Sequence, residues 1–204
     1  MTIRTNINIP NRRQERVRSL FIKIHNDLFK IDQHIFHTEN ELNLVEEYVI
    51  ILEDRRFFYH NGFDIRSILR ELLKIINIKI FFKLKGGAST IDMQFVRTIT
   101  GYKKKTFSRK TYEIFLAYII NHRYSKRDIL YSYMHHAYLG TRLTGIEQAA
   151  KKTYNKKVSE LSDFESAMVA SMLLSPQPLV QTVRWYIRAK RRATYAMRLR
   201  KTIE

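Results

Sequence analysis

Residues 42–62 read LNLVEEYVIILEDRRFFYHNG, an apolar run at helical spacing that ends in a cluster of charged and aromatic residues. Thr38 and Glu41 precede the run at the spacing of a capping box, which predicts a helix from this point to Glu53. Burial beside aromatic rings favours the protonated form of a carboxyl group, so Glu53 is a candidate general acid or base near neutral pH. The alternative interpretation is a helix-end carboxylate that pairs with one of the two arginines shortly after it.

Helical spacing of apolar residues continues through the rest of the chain and is broken by short polar or glycine-bearing loops. Ser125 and Ser162 each precede an acidic residue at capping spacing, and Pro176 is expected to end the second of these helices. The sequence therefore predicts a mainly α-helical fold, with residues 1–40 as an N-terminal basic arm and residues 41–204 as a single domain. Further helices are expected at Ile65–Ile76, Ser89–Thr98, Ser108–Arg123, Ile146–Tyr154 and Arg184–Lys201.

Charge is the most informative feature of the composition. Lysine and arginine number 37 against 19 aspartate and glutamate residues, which gives a formal net charge of +18. Such a surface attracts polyanions, which include nucleic acid, anionic lipid headgroups and phosphate-bearing substrates. The absence of cysteine excludes disulfides, thiolate catalysis and cysteine-ligated zinc. No membrane-spanning helix is expected, because prolines and glutamines interrupt the longest uncharged run, Ser166–Val183.

Two further clusters contain polar and charged residues that could bind an anion. Residues 86–94 read GGASTIDMQ, and paired glycines before a Ser-Thr helix start present free N–H groups and hydroxyls to an anion. The alternative for this cluster is an ordinary helix cap. Residues 103–113 read KKKTFSRKTYE, in which Arg109 and Glu113 lie four apart on one helix face. This second cluster is either a solvated ion pair or a cationic cradle for phosphate that holds one carboxylate.

In their order along the chain, these clusters resemble the motifs of the peptidoglycan glycosyltransferases, the lysozyme-like enzymes that polymerise lipid II. The family pattern begins Glu-Asp-x-x-Phe-x-x-His-x-Gly and continues with Gly-x-Ser-Thr-x-x-Gln-Gln, Arg-Lys-x-x-Glu and Lys-x-x-Ile-Leu-x-x-Tyr-x-Asn. Met93 and His135 depart from this pattern at the first Gln and at the Asn. The matching positions are Glu53, Asp54, Phe57, His60 and Gly62, then Gly87, Ser89, Thr90 and Gln94, then Arg109, Lys110 and Glu113, then Lys126, Ile129, Leu130 and Tyr133, and finally Arg191 and Arg192.

The resemblance implies an inverting glycosyltransferase with a two-lobed, lysozyme-like helical fold and a mobile flap over its cleft, expected at Phe63–Lys85. Glu53 would be the catalytic base that deprotonates the acceptor hydroxyl. Glu113, the second catalytic carboxylate, would orient the surrounding cations or hold a divalent cation, Mg²⁺ or Mn²⁺, and no other cofactor is expected. The residues expected to bind the pyrophosphate or other parts of the substrate are Asp54, Phe57, His60, Ser89, Thr90, Gln94, Arg97, Lys105, Arg109 and Lys110.

The resemblance also implies partners and a location. The substrates would be lipid II and lipid-linked glycan, at the periplasmic or extracellular face of the bacterial inner membrane, with other cell-wall synthesis proteins nearby. Nucleic acid is not expected as a partner. The chain lacks the family's spanning anchor and has no room for a transpeptidase domain, so we expect a monofunctional form. Either it is shortened, or it docks on the membrane through its basic arm and the segment Ile76–Lys85, which contains Phe81 and Phe82.

Two other classes of function remain open at this point. A lysozyme-like glycan hydrolase would use Glu53 as a general acid, but that chemistry requires a second carboxylate that flanks the bond and few cations. The cations around Glu113 favour a pyrophosphate leaving group instead. A catalytically silent module that binds membranes or nucleic acid would have no need of Glu53 and Glu113, and both are present.

Overall fold

The computed structural model describes residues 11–76, 87, 89–102, 104 and 106–203. In this part of the chain the fold is mainly α-helical and lysozyme-like, as the sequence predicts. Most of the expected lipid-contacting segment (residues 77–86) and Lys105 lie outside the described residues, so the flap stays a prediction. The elements are α1 (Arg12–Asp32), α2 (Leu44–Glu53), a 3₁₀ helix (Phe57–Tyr59), α3 (Ile65–Ile76), α4 (Ile91–Thr100), α5 (Phe107–Arg123), α6 (Lys126–His136), an antiparallel hairpin of β1 (Tyr138–Gly140) and β2 (Leu143–Thr144), α7 (Ile146–Tyr154), a second 3₁₀ helix (Val158–Glu160), α8 (Asp163–Ser171) and α9 (Val183–Ile203).

Helix α2 begins at Leu44 and not near Thr38, because its capping box is formed by other residues. The Asn43 side chain accepts a bond from the Glu46 backbone N–H, and the Glu46 carboxylate accepts one from the Asn43 N–H, both at 3.0 Å. The Thr38 N–H instead donates to Asp128 Oδ1 at 3.0 Å. The predicted helix start is therefore wrong, since the residues around Thr38 are held against α6 in an extended segment.

Side chains cap most of the other predicted helices within two residues of the expected starts, whereas Gly145 precedes α7 without a side-chain cap. Thr90 Oγ1 accepts a bond from the Met93 N–H at 3.2 Å and begins α4, two residues later than expected. Ser125 caps α6, and Ser162 forms the predicted capping box at the start of α8. Helix α8 ends at Ser171, before the proline that was expected to end it. The capping residues in the sequence therefore locate the starts of these helices to within two residues.

Helix α4 lies at the centre of the core and packs against α1, α5 and α6. Met93 stands where the family pattern has a glutamine, and its side chain is completely buried in this apolar interior. A flexible thioether fills irregular gaps in a core, so this departure is a packing residue in this chain. The completely buried side chains of α4 include Ile91, Met93, Phe95 and Val96.

Helices α2, α8 and α9 pack against one another on the other side of the molecule. Helix α9 buries three alanines at helical spacing, Ala189, Ala193 and Ala196. Because alanine has a small side chain, the α9 backbone approaches its neighbours closely and its long arginines project around the edges of the contact. Trp185 Nε1 also donates to the Ser175 carbonyl at 2.9 Å, which fixes the start of α9 against the loop after α8.

Helix α1 has a packed second half and an exposed first half. Leu28 and Ile31 lie in the core, and the Asp27 carboxylate accepts bonds from the hydroxyls of Tyr102 and Tyr112, both at 2.7 Å. Residues 11–23 are all exposed. The second half of α1 therefore shares the core of the later helices, while the predicted division at residue 40 stays a prediction. Neither α1 nor any other described helix is both long and apolar enough to span a bilayer.

Candidate active site

Glu53 is the last residue of α2, and its carboxylate contacts side chains of two other helices, α4 and α9. Oε2 accepts a hydrogen bond from Gln94 Nε2 on α4 at 3.3 Å, and Oε1 pairs with the Arg192 guanidinium on α9. The side chain is 13% exposed, so it is largely desolvated but still reachable. Arg55 donates to a tyrosine of α9, and Arg56 faces a different carboxylate. Pairing of Glu53 with one of these adjacent arginines is therefore not observed, because the packing of α9 on α2 brings Arg192 to it.

Tyr133 on α6 fixes the orientation of the Gln94 amide. Its hydroxyl donates to Gln94 Oε1 at 2.9 Å, which turns the amide nitrogen toward Glu53. Burial and then the charge of Glu53 raise the pKa of Tyr133, while Arg97 acts in the opposite direction. The phenol therefore stays a neutral hydrogen-bond donor, and Gln94 stays a donor to the carboxylate.

The residue after Glu53 belongs to a buried polar network. Asp54 Oδ2 accepts bonds from His60 Nε2 at 2.9 Å and from the first backbone N–H of α4 at 3.1 Å. Asp92 is completely buried, and its two oxygens lie 3.0 and 3.1 Å from Lys126 Nζ. His60 Nδ1 lies 3.5 Å from the same Lys126 nitrogen. One network therefore ties the end of α2 to the starts of α4 and α6.

The buried charges of Asp92 and Lys126 compensate each other within this network. Burial raises the pKa of Asp92 and lowers that of Lys126, since each charge has left water, and their mutual attraction opposes both shifts. Asn121 Nδ2 donates to Asp92 Oδ1 at 2.7 Å, and the Phe57 ring centre lies 4.3 Å from Lys126 Nζ in a cation–π contact. The network is therefore a rigid support for the loop that follows Glu53.

The far end of that loop is held against α4 and α5. Thr90 Oγ1 donates to the Gly62 carbonyl at 2.7 Å. Gly62 has φ +87°, and a side chain there would collide with the backbone carbonyl of Ala117 on α5, so only glycine fits. Thr90 and the buried residues of the first motif thus hold Glu53 in place. Their direct contact with substrate stays a prediction.

The ligand atoms of Asp54, His60 and Asp92 lie within 4.8 Å of one another, a spacing that a metal ion could bridge. The Lys126 ammonium already lies in this cluster, at hydrogen-bond distance from both Asp92 oxygens. Because a divalent ion would be repelled by that charge, the cluster suits a lysine and not a metal.

A second charged cluster surrounds Glu113 on α5. Its carboxylate is completely buried; Oε1 accepts a bond from Arg109 Nη1 at 2.7 Å, and Oε2 lies 3.9 Å from Arg97 Nη1. Lys110 Nζ donates to Ser89 Oγ at 2.6 Å. Burial raises the pKa of Glu113, against the opposing effect of Arg97, Arg109 and Lys110. The i,i+4 pair expected from the sequence is therefore present in a buried form, and α4 adds another cation.

The described surroundings of Glu113 do not suit the divalent cation that the resemblance allows. They offer a single carboxylate, and the charged groups that act on it are cationic. Mg²⁺ and Mn²⁺ prefer several oxygen ligands and would be repelled by the guanidinium groups. Glu113 instead serves as the counter-charge that holds the cations in position.

Helix α4 connects the two charged clusters. Gln94 contacts Glu53, and Arg97, three residues later, faces Glu113, so the two side chains lie on adjacent turns of one helix face. The Arg97 side chain is 35% exposed, so an anion in solution can reach it. The structure thus brings the two predicted catalytic carboxylates to the two ends of one short stretch of α4. Lys105, predicted to act with Arg97, lies outside the described residues.

The structure places four further residues at the site, and the sequence predicts no role there for any of them. Tyr133 and Lys126 were matched as motif positions only, and Arg192 was matched only as part of the last motif. Asp92 resembled an ordinary acidic residue in the first turn of a helix. The pairing of these groups depends on how distant helices pack, so the motif matches were the only available signal.

Comparisons with known proteins identify the family of the chain. The family described as Transglycosylase matches residues 27–200. A Cupriavidus necator protein whose name places it among the transglycosylases is 36% identical over 128 residues, 63% of this chain and 54% of that protein. Penicillin-binding protein 1A of Rickettsia felis is 30% identical over 171 residues, 83% of this chain and 21% of that protein, and its counterpart in Neisseria gonorrhoeae is 36% identical over 145 residues, 70% and 18%. The chain thus spans about half or less of the length of these relatives. The family match covers most of the chain, which therefore belongs to the transglycosylase family.

Proposed function

We propose that this chain is a peptidoglycan glycosyltransferase that polymerises lipid II and releases undecaprenyl pyrophosphate. The observation that carries the proposal is the Glu53 carboxylate, held by Gln94 and Arg192 at one end of a stretch of α4 whose other end carries the exposed guanidinium of Arg97. A base that contacts Gln94 and a group of cations that includes Arg97, one turn further along α4, match a reaction that deprotonates a hydroxyl and expels a pyrophosphate.

In the proposed reaction, Glu53 accepts the proton of the acceptor 4-hydroxyl as that oxygen attacks the anomeric carbon of the donor. The new carbon–oxygen bond forms as the bond to the pyrophosphate oxygen breaks, with inversion at the anomeric carbon. The departing pyrophosphate takes the bonding electron pair, and Arg97, with Arg109 and Lys110 nearby, stabilises the charge that develops on it. Arg192 and Gln94 keep the carboxylate oriented toward the acceptor.

The geometry argues against the hydrolase alternative. A glycosidase places two carboxyl groups on either side of the bond that it cleaves. Glu113 is buried and bound to Arg109, so it is not available for that role. Incubation with lipid II and, separately, with purified glycan strands distinguishes a glycosyltransferase from a hydrolase. We expect polymer from lipid II and no shortening of the strands. Shortening of the strands without polymer formation would show that the chain is a glycan hydrolase.

Replacement of Arg97 is expected to impair chemistry more than binding. Arg97→Gln should lower kcat by about tenfold to a thousandfold, the range for loss of one group that stabilises transition-state charge. Arg198→Gln provides the matched control, because Arg198 is exposed on α9 and away from Glu113. Equal losses in the two variants would show that arginines act through general attraction of anions and not through a site.

We place the reaction at the surface of the bacterial inner membrane, on its periplasmic or extracellular face, where other cell-wall synthesis proteins could act alongside it. A polyprenyl chain stays in the bilayer, because exposure to water costs about 0.8 kcal/mol per CH₂ group. The exposed first half of α1 offers a docking surface, since Leu20 and Phe21 are half or more exposed among several arginines. Such a basic amphipathic helix suits an anionic interface.

Vesicle sedimentation tests this placement. The chain is expected to bind anionic vesicles at low salt and to bind less as salt rises, because each basic residue near the surface contributes about 1 kcal/mol that salt screens. Leu20→Ser with Phe21→Ser should weaken binding further, while Leu179→Ser with Val180→Ser, in an exposed loop elsewhere, should not. A folded parent chain that binds no anionic vesicle at any salt would contradict the placement.

A further inference from the structure

Three arginines form a stripe along one face of α9. Arg184, Arg188 and Arg191 are separated by four and three residues, so they share a face over about 10 Å of helix. All three are exposed, and none of their guanidinium groups forms a hydrogen bond or ion pair with any part of the chain that the structure describes. Three adjacent like charges without a counter-charge are unfavourable for the fold itself, which points to an anionic ligand.

The stripe lines a groove of about 1120 Å³ between α9 and the loop after α8. Arg192, whose guanidinium pairs with Glu53, is part of the groove wall. The apolar part of the wall is formed by exposed side chains of α9 and of the loop after α8, namely Leu174, Val183 and Ile187. The groove therefore offers both unpaired guanidinium groups and apolar surface next to Arg192, the arginine that pairs with the Glu53 carboxylate.

The spacing of the arginines selects among anions. A pyrophosphate concentrates its charge within a span shorter than one helical turn, whereas the stripe extends over about two turns. Carboxylates distributed along a short peptide match this span, and guanidinium groups bind carboxylates through paired hydrogen bonds. The apolar residues between the arginines suit the small aliphatic side chains of such a peptide.

We propose that this groove binds the acidic peptide carried by the sugar of the acceptor substrate, and that Arg184, Arg188 and Arg191 bind its carboxylates. The inference rests on the proposed function, since it is the acceptor hydroxyl that lies beside Glu53. Binding of the peptide in this groove would set the acceptor sugar against the base. The stripe is therefore a determinant of acceptor specificity and not part of the bond-making chemistry.

The test compares two forms of lipid II with two forms of the protein. One substrate has free peptide carboxylates, and in the other the carboxylates are converted to primary amides. Arg184→Gln with Arg188→Gln and Arg191→Gln should raise KM for the free-acid substrate by about tenfold to a hundredfold, the effect of losing one or two charge-assisted contacts, with kcat little changed. The same triple variant should leave KM for the amidated substrate as in the parent.

Arg198→Gln serves as the matched control and should change neither KM. An equal rise in KM for both substrates would overturn the proposal and assign the stripe to the acceptor pyrophosphate. Weaker binding of anionic vesicles by the triple variant, with no change in the difference between the two substrates, would assign it to lipid headgroups. An unchanged KM of the triple variant for the free-acid substrate would show that the stripe does not bind the substrate.

A direct binding measurement separates this inference from the proposed function. The water-soluble disaccharide-peptide, without the lipid, is titrated into the parent chain and into the triple variant by calorimetry. Binding that the triple variant loses, and that amidation of the peptide also removes, supports the groove assignment even if the chain does not polymerise lipid II. Absence of binding to the folded parent chain at millimolar ligand would overturn the assignment, whatever the polymerisation assay shows.

Discussion

Glu53→Gln is expected to abolish polymerisation of lipid II and to leave the fold intact. The amide has nearly the shape of the carboxylate, so Gln94 and Arg192 can still surround it, but it cannot accept the acceptor proton. Loss of a positioned general base typically lowers the rate by about a hundredfold to ten-thousandfold. The measurement is the initial rate of glycan formation, with circular dichroism and thermal unfolding to confirm the fold.

Glu47→Gln is the matched control for that variant. Glu47 lies on the same helix and pairs with an α9 arginine, Arg200, whose Nε lies 2.8 Å from its carboxylate. The control therefore removes the same charge and the same kind of ion pair without touching the site. If Glu53→Gln retains more than a few per cent of the parent rate, or if both variants lose activity equally, Glu53 is not the base.

Lys126→Met is expected to produce the largest loss of stability. It leaves the completely buried Asp92 carboxylate without its lysine; in the part of the chain that the structure describes, the bond from Asn121 and His60 Nδ1, 4.0 Å away, remain. Removal of one partner of a buried ion pair typically costs about 3–5 kcal/mol. Urea unfolding measures the change in the free energy of unfolding, and Lys151→Met, at an exposed position on α7, is the control.

A second substitution and a change of pH test the cause of that loss. Lys126→Met combined with Asp92→Asn should recover part of the stability, because no buried charge is then left unpaired. Burial already raises the pKa of Asp92 above its unfolded value, so the stability of the single variant should be greatest at low pH and fall as pH rises through the folded pKa. A single variant as stable as the parent at pH 8 would show that the network does not hold the loop.

The sequence predicts those parts of the fold that depend on nearby residues. Helix α3 and helix α7 have the predicted bounds, and the Arg109–Glu113 pair follows from a spacing of four. The start of α2 was misplaced because Thr38 and Glu41 have the spacing of a capping box as well as Asn43 and Glu46 do. The choice between the two depends on Asp128, a distant residue that binds the Thr38 backbone.

The site is less predictable where it depends on packing between distant helices. Arg192 reaches Glu53 across 139 positions because buried alanines let α9 approach α2 and α8 closely. Asp92 is at the start of a helix in the sequence, and only the packing of α6 on α4 places Lys126 beside it. Motif order identified the family and predicted Glu53 as the base, but the partners that hold the Glu53 carboxylate in position come from the tertiary structure.

The most direct test of the proposed reaction is analysis of the product that the parent chain makes from lipid II. We expect glycan strands whose new linkages have the anomeric configuration opposite to that of the pyrophosphate-linked donor, with one undecaprenyl pyrophosphate released per linkage. Nuclear magnetic resonance of the strands and mass spectrometry of the released lipid give both quantities. Linkages with the donor configuration retained, or lipid II consumed without formation of glycan strands, would show that the chain does not catalyse the proposed inverting transfer.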